Sequence, residues 1–77
     1  MLKPSRFLIA IYDEQTMLVS EAKIIGPTTE DNAVHVATNR ALEISKNDPT
    51  TTYVYYLIDF EDQVSTNKKF KNGMFAS

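Results

Sequence analysis

The chain has 77 residues, of which 43% are hydrophobic, with no cysteine and a formal net charge of −2 at pH 7. That length makes one small domain and the apolar content excludes global disorder. The missing cysteines exclude disulfides and any Cys-based zinc site, and the slightly acidic balance argues against general DNA binding.

A domain this small buries only about 60% of the surface its unfolded chain exposes, and oligomerisation is a common remedy once disulfides are excluded. The charge is unevenly distributed. Residues 1–62 hold five basic and ten acidic side chains, whereas residues 63–77 hold Lys68, Lys69 and Lys71 and no acid.

The first predicted element is a strand over Phe7-Leu8-Ile9-Ala10-Ile11-Tyr12. Lys3 and Arg6 precede it, but the apolar run stops at Asp13-Glu14 and is too short for a signal core. No stretch approaches a membrane span, so a cytoplasmic protein without membrane contact is expected. Asp13-Glu14-Gln15-Thr16 reads as a hairpin loop, and Met17 to Ile25 as the returning strand. In that strand Met17, Val19, Glu21, Lys23 and Ile25 alternate with Leu18, Ser20, Ala22 and Ile24. The set with both charges is expected to face away from a covering helix.

Gly26-Pro27 ends the second strand, and Thr28 reads as a helix N-cap with Asp31 completing an approximate capping box. Ala33, Val34, Ala37, Ala41 and Ile44 fall on one stripe of the helix that follows. Asn47 and Pro49 end it. Next comes Thr51-Thr52-Tyr53-Val54-Tyr55-Tyr56-Leu57-Ile58-Asp59-Phe60, a strand apolar on both faces. Val64-Ser65-Thr66 reads as a short edge strand, and residues 67–77 as a basic C-terminal tail after a domain spanning residues 1–66. The order ββαβ(β) predicts an α+β fold, a small mainly antiparallel sheet with one covering helix.

Catalytic chemistry has few candidates. His35 is the only histidine and lies opposite the alanine stripe, where it reads as a solvated side chain. The acidic pairs Asp13-Glu14, Glu30-Asp31 and Glu61-Asp62 fall at turns or at the helix start, where acids serve structure. The two glycines, Gly26 and Gly73, form no phosphate loop, and no nucleophile elbow surrounds a serine. The expectation is a protein that is not an enzyme and holds no cofactor and no metal.

One helix covers one face of a sheet. With Phe7, Ile9 and Ile11 assigned inward, the third strand's Val54, Tyr56, Ile58 and Phe60 are placed in the core. The outer face then collects Arg6, Leu8, Tyr12, Val19, Lys23, Tyr53, Tyr55 and Leu57. Two readings follow. Leu8, Val19, Tyr53, Tyr55 and Leu57 form a subunit interface of a homo-oligomer. Alternatively, Tyr12, Tyr53 and Tyr55 stack on bases while Arg6, Lys23 and the Lys68-Lys69-Phe70-Lys71 segment meet phosphate. The two combine when a nucleotide sits beside the interface.

The run Gly26-Pro27-Thr28-Thr29-Glu30-Asp31-Asn32-Ala33, the Ala-rich helix, Asp48-Pro49 and the Tyr/Val strand together resemble small phage-encoded accessory proteins across residues 6–60. The matching positions are caps and core, and carry over no ligand residue. The resemblance implies a viral counter-defence protein acting by binding in the host cytoplasm. Such proteins include oligomeric sponges for cyclic nucleotide immune signals and inhibitors of host proteins. The sponge is the leading expectation, a protein-binding inhibitor or adaptor the alternative, and a structural homo-oligomer without ligand the third.

Overall fold

The computed structural model describes residues 4–76. It contains strands β1 (Ser5–Asp13) and β2 (Val19–Thr28), helix α1 (Glu30–Asn47), and strands β3 (Thr52–Asp59), β4 (Ser65–Lys71) and β5 (Met74–Ala76). The strands form one antiparallel sheet in the order β2-β1-β3-β4-β5, with α1 packed on one face. This is the expected α+β architecture with a sheet of five strands.

Two of the hairpin turns share one device. Asp13 Oδ1 accepts from the amide of Gln15 at 2.8 Å, and Asp59 Oδ1 accepts from that of Glu61 at 2.9 Å. Each aspartate is followed four residues later by a positive-φ residue, Met17 or Gln63. The carboxylate satisfies amides that the turn takes out of the ladder. The third turn, Asn72-Gly73, has positive φ at both residues, as a tight two-residue hairpin requires.

Residues 67–77 are therefore not a tail through their described part. Residues 67–71 complete β4, which pairs with β3 from Thr52↔Lys71 to Ile58↔Ser65. Met74–Ala76 forms the outer strand β5. The basic composition of the segment reflects a solvated strand rather than an unstructured extension.

Helix α1 starts one residue later than expected. Thr29, not Thr28, is the N-cap, its Oγ1 accepting from the Asn32 amide at 3.2 Å. The Asn32 side chain reaches back to Thr28 Oγ1 at 2.9 Å. Ala33, Ala37, Ala41 and Ser45 form the buried seam of the helix, and Val34 and Ile44 flank it. Small side chains bring the helix axis close to the sheet, so the sheet supplies the bulk of the core. Phe7, Ile9, Ile11, Tyr53, Tyr55, Leu57 and Phe70 fill it. Tyr55 and Phe70 stack with ring centroids 5.7 Å apart.

This packing reverses the expected phase of β3. Ile9 stands opposite Leu57 and Ile11 opposite Tyr55, so Tyr53, Tyr55 and Leu57 share the helix-facing side with the β1 core residues. Val54, Tyr56 and Ile58 lie on the other side, and Phe60 is exposed beyond the strand's end. Both faces of β3 are apolar, so alternation alone does not choose between them. The alanine seam chooses, because large rings fill the space that small helix residues leave.

The phase of β2 is reversed as well. Glu21 and Lys23 pair with Ile11 and Ile9 and lie on the helix side, where Arg40 of α1 reaches down to Glu21. A register shift between Ile11 and Tyr12 returns Val19 to the outer face, opposite Tyr12.

An uncovered sheet face as the candidate functional site

The face away from α1 is a grid whose rows are set by the strand registers. One row reads Ile24, Leu8, Ile58 across β2, β1 and β3. The next reads Ala22, Ala10, Tyr56, and the third Val19, Tyr12, Val54. All nine side chains are apolar or aromatic. No element of the described chain packs over them, and Ile24 and Val19 are 61% and 59% exposed. Strand β4 borders the patch with Ser65, Asn67 and Lys69 in the same rows and Lys71 in the row beyond.

Lys69 does not stand as a lone charge on this border. Its Nζ lies 2.6 Å from Glu14 Oε2, a bridge from the end of β1 across β3 to β4. The hydrogen bond that Lys69 donates to Glu14, reinforced by that carboxylate's charge, raises the Lys69 ammonium above its ordinary pKa. Val54, flanked in register by Tyr12 and Lys69, is only 4% exposed, so it adds little open surface to the grid.

The sequence-predicted site residues divide among three environments. Leu8, Tyr12 and Val19 occupy the uncovered face as expected, and Arg6 is exposed where β1 enters it. Tyr53, Tyr55 and Leu57 do not. They are buried under α1, as is Phe70, so none presents a ring or an aliphatic surface to a partner. The Tyr53 hydroxyl donates to Asp48 Oδ2 at 3.0 Å. Burial first, and this bond second, push the phenol above its ordinary pKa.

Among the predicted phosphate contacts, Lys23 lies on the helix side at the β2 edge and Lys68 on the helix side of β4. Lys69 and Lys71 point to the opposite face. Strand alternation splits the basic run, so these lysines do not converge on one anion.

Sequence reasoning missed two positions outside the helix-covered core. Phe75 stands opposite Phe70 across β4–β5 and is exposed, with Lys68 Nζ 5.7 Å from its ring centroid. Tyr56 was assigned to the core and is the largest side chain in the middle row of the open face. The Asn72-Gly73 pair was the available signal for Phe75, since Asn-Gly marks a two-residue hairpin and alternation from Phe70 then places that ring.

Most of the acidic residues have structural partners. Asp13 and Asp59 serve turns, Glu21 binds Arg40, Asp48 accepts from Tyr53, and Glu61 accepts from Ser5 Oγ at 3.3 Å. His35 is exposed, with Nε2 3.2 Å from Asn39 Nδ2. Among the described residues, no three metal-ligating side chains cluster, no pocket opens, and no helix is long and apolar enough to cross a membrane. Comparison of the chain with family models, with curated proteins and with solved structures gave no match.

Proposed function

We propose that this is a non-catalytic binding protein that works in the cytoplasm through the uncovered face of its sheet, and that this face meets protein. One observation carries the reading: nine contiguous apolar side chains from three strands face outward without a covering layer. Contiguous apolar surface on a small protein marks a contact site, and Tyr12 and Tyr56 add broad, stiff side chains suited to one. The interleaved aliphatics Leu8, Ile24 and Ile58 favour a protein surface over a planar base.

Nucleotide capture, as in a phage sponge against host immune signalling, is the second reading. It draws on the exposed Phe75 ring with the Lys68 ammonium over it, a pairing suited to a stacked base with a nearby phosphate. Two of the three tyrosines expected to stack, Tyr53 and Tyr55, are buried, which places this reading second.

Native mass spectrometry of the freshly purified protein separates the two. The protein-contact reading expects assemblies without a small-molecule adduct, and expects Leu8→Lys to disperse them while the fold persists. A retained mass of nucleotide size, lost in Phe75→Ala, makes the second reading the correct one.

A further inference from the structure

We infer that the occupant of the uncovered sheet face is a second copy of this chain, packed face to face about a two-fold axis that runs along the strands between β1 and β3. The inference rests on the proposed role of that face and specifies its partner.

The argument begins with the middle row of the grid. Ala22 and Ala10 are its smallest side chains, and Tyr56, directly opposite Ala10, is its largest. The row therefore has a dimple beside a knob. A two-fold axis between β1 and β3 exchanges those strands and lays Tyr56 of one copy over Ala10 of the partner subunit. The same operation lays Leu8 over Ile58 and Tyr12 over Val54 at the centre, while β2 falls over β4 at the margins, where Ile24 and Ala22 meet Ser65 of the partner subunit and Asn67 of the partner subunit. Aligned sheet packing of this kind lets side chains of the two faces interdigitate. An isologous contact requires such a self-complementary surface.

Charge is compatible with this arrangement. No Asp, Glu, Lys or Arg lies within the grid, and Arg6 stands exposed at its edge where β1 enters the face. The nearest ammonium, Lys69, is neutralised by Glu14 of its own chain. Its aliphatic stem stands ready to cover Val19 of the partner subunit while the ion pair stays at the rim.

The area suits a weak, exchanging contact. Four strands by three rows span about 19 Å by about 20 Å, roughly 400 Å2 per copy in projection. That is about 800 Å2 for the pair, below standard-size interfaces, so the contact is a weak one and the assembly exchanges with monomer. Pairing also takes part of the sheets' apolar surface out of water.

The experiment is light scattering and sedimentation of the full chain through the micromolar range. The expected mass at the upper end is twice the chain's 8.7 kDa. Ala10→Tyr sets ring against ring and Tyr56→Ala removes the knob, so each alone returns the monomer mass. The double variant Ala10→Tyr with Tyr56→Ala exchanges knob and dimple and restores the dimer. A dimer indifferent to both single substitutions overturns the inference.

A monomer at every concentration overturns it too. If Tyr56→Glu then abolishes binding of a defined protein partner, the contact face stands and only its occupant was misassigned. If no association responds to the face variants, both fail. A measurement on the unaltered chain guards against misfolded variants. On dilution, NMR methyl signals of Leu8, Ile24 and Ile58 shift, while those of Ile9 and Leu57 under the helix stay fixed. Shifts spread equally over both sets overturn the inference.

Discussion

Arg40 grips Glu21 from the helix, with Nε 2.9 Å from each carboxylate oxygen and Nη2 2.8 Å from Oε1. Arg40 also reaches Glu43 on its own helix at 3.0 Å. This fork joins α1 to the edge strand β2, which the helix otherwise touches little. Two parallel N–H···O bonds fix an orientation as well as a distance.

The same contact predicts an acid-sensitive edge. The hydrogen bond from Arg40, ahead of its charge, holds the Glu21 carboxyl below the usual carboxylate range. Between the folded and unfolded pKa values the unfolded chain binds more protons, so stability falls as pH falls. The contribution is complete above the unfolded value and disappears as pH drops through the folded one. Glu21→Gln should flatten the acid limb of a pH–stability curve. An unchanged limb in denaturant titrations from neutral to acid pH removes Glu21 from the account.

Tyr53 predicts the opposite limb. Its raised pKa means that between the unfolded value, about 10, and the folded one the native state keeps a proton that the unfolded chain has lost. Its contribution is complete below the unfolded value and is lost as pH rises through the folded one. Tyr53→Phe should reduce the alkaline slope and cost about 1 kcal/mol near neutrality, through the lost bond to Asp48. Phenolate absorbance followed alongside unfolding checks both parts.

Neighbours on β3 should differ sharply. Leu57 is 2% exposed in the helix-side core, and Leu57→Ala is expected to cost about 2–5 kcal/mol. Ile58, one residue on, faces the open side, and Ile58→Ala should change monomer stability by about 1 kcal/mol or less. Chemical denaturation of the two variants at low protein concentration measures the contrast. Equal costs contradict the phase of β3.

Tyr55 offers a substitution expected to do no harm. Its hydroxyl is buried without a hydrogen-bond partner among the described residues, while its ring stacks on Phe70. Tyr55→Phe keeps the ring and removes an unsatisfied polar atom. Stability should hold or rise by about 1 kcal/mol, because the desolvation cost of that oxygen disappears. A loss larger than that, measured by thermal unfolding, reveals a partner for the hydroxyl.

Gly26 should not accept a side chain. Its φ is +113°, and a Cβ there lies 2.6 Å from the carbonyl oxygen of Ser5 on the paired strand. Gly26→Ala should destabilise by at least about 1 kcal/mol, because left-handed backbone and the close approach penalise the same atom. Urea unfolding gives the number. A neutral result means that β1 and β2 separate at this end.

Much of this was legible in single residues and short spacings. Asp13 at the head of the first loop, Pro49 just beyond the end of the helix, and the Ala33–Ala37–Ala41 stripe each act through their own neighbours, whereas Asn47 stays helical and Asp48 is the C-cap. The element order followed from them, and so did the open face, since one helix covers one side. Residues 67–77 were misread because charge was weighted above the Asn72-Gly73 turn, which needs no long-range contact to form. The mixed fate of the candidate site has another cause. Leu8, Tyr12 and Val19 were placed on the open face through β1 and its hairpin, whereas Tyr53, Tyr55 and Leu57 depended on the phase of β3.

By itself the sequence determined an antiparallel sheet, one helix with a small-residue seam, and a third strand apolar on both sides. Only the tertiary structure decided which side of that strand lies inward. The choice is long-range: β3 pairs with β1 after the chain has crossed the helix, and a one-residue slip exchanges its two faces. With Tyr55 and Leu57 filling the space above the alanines, Tyr56 is left facing outward opposite Ala10.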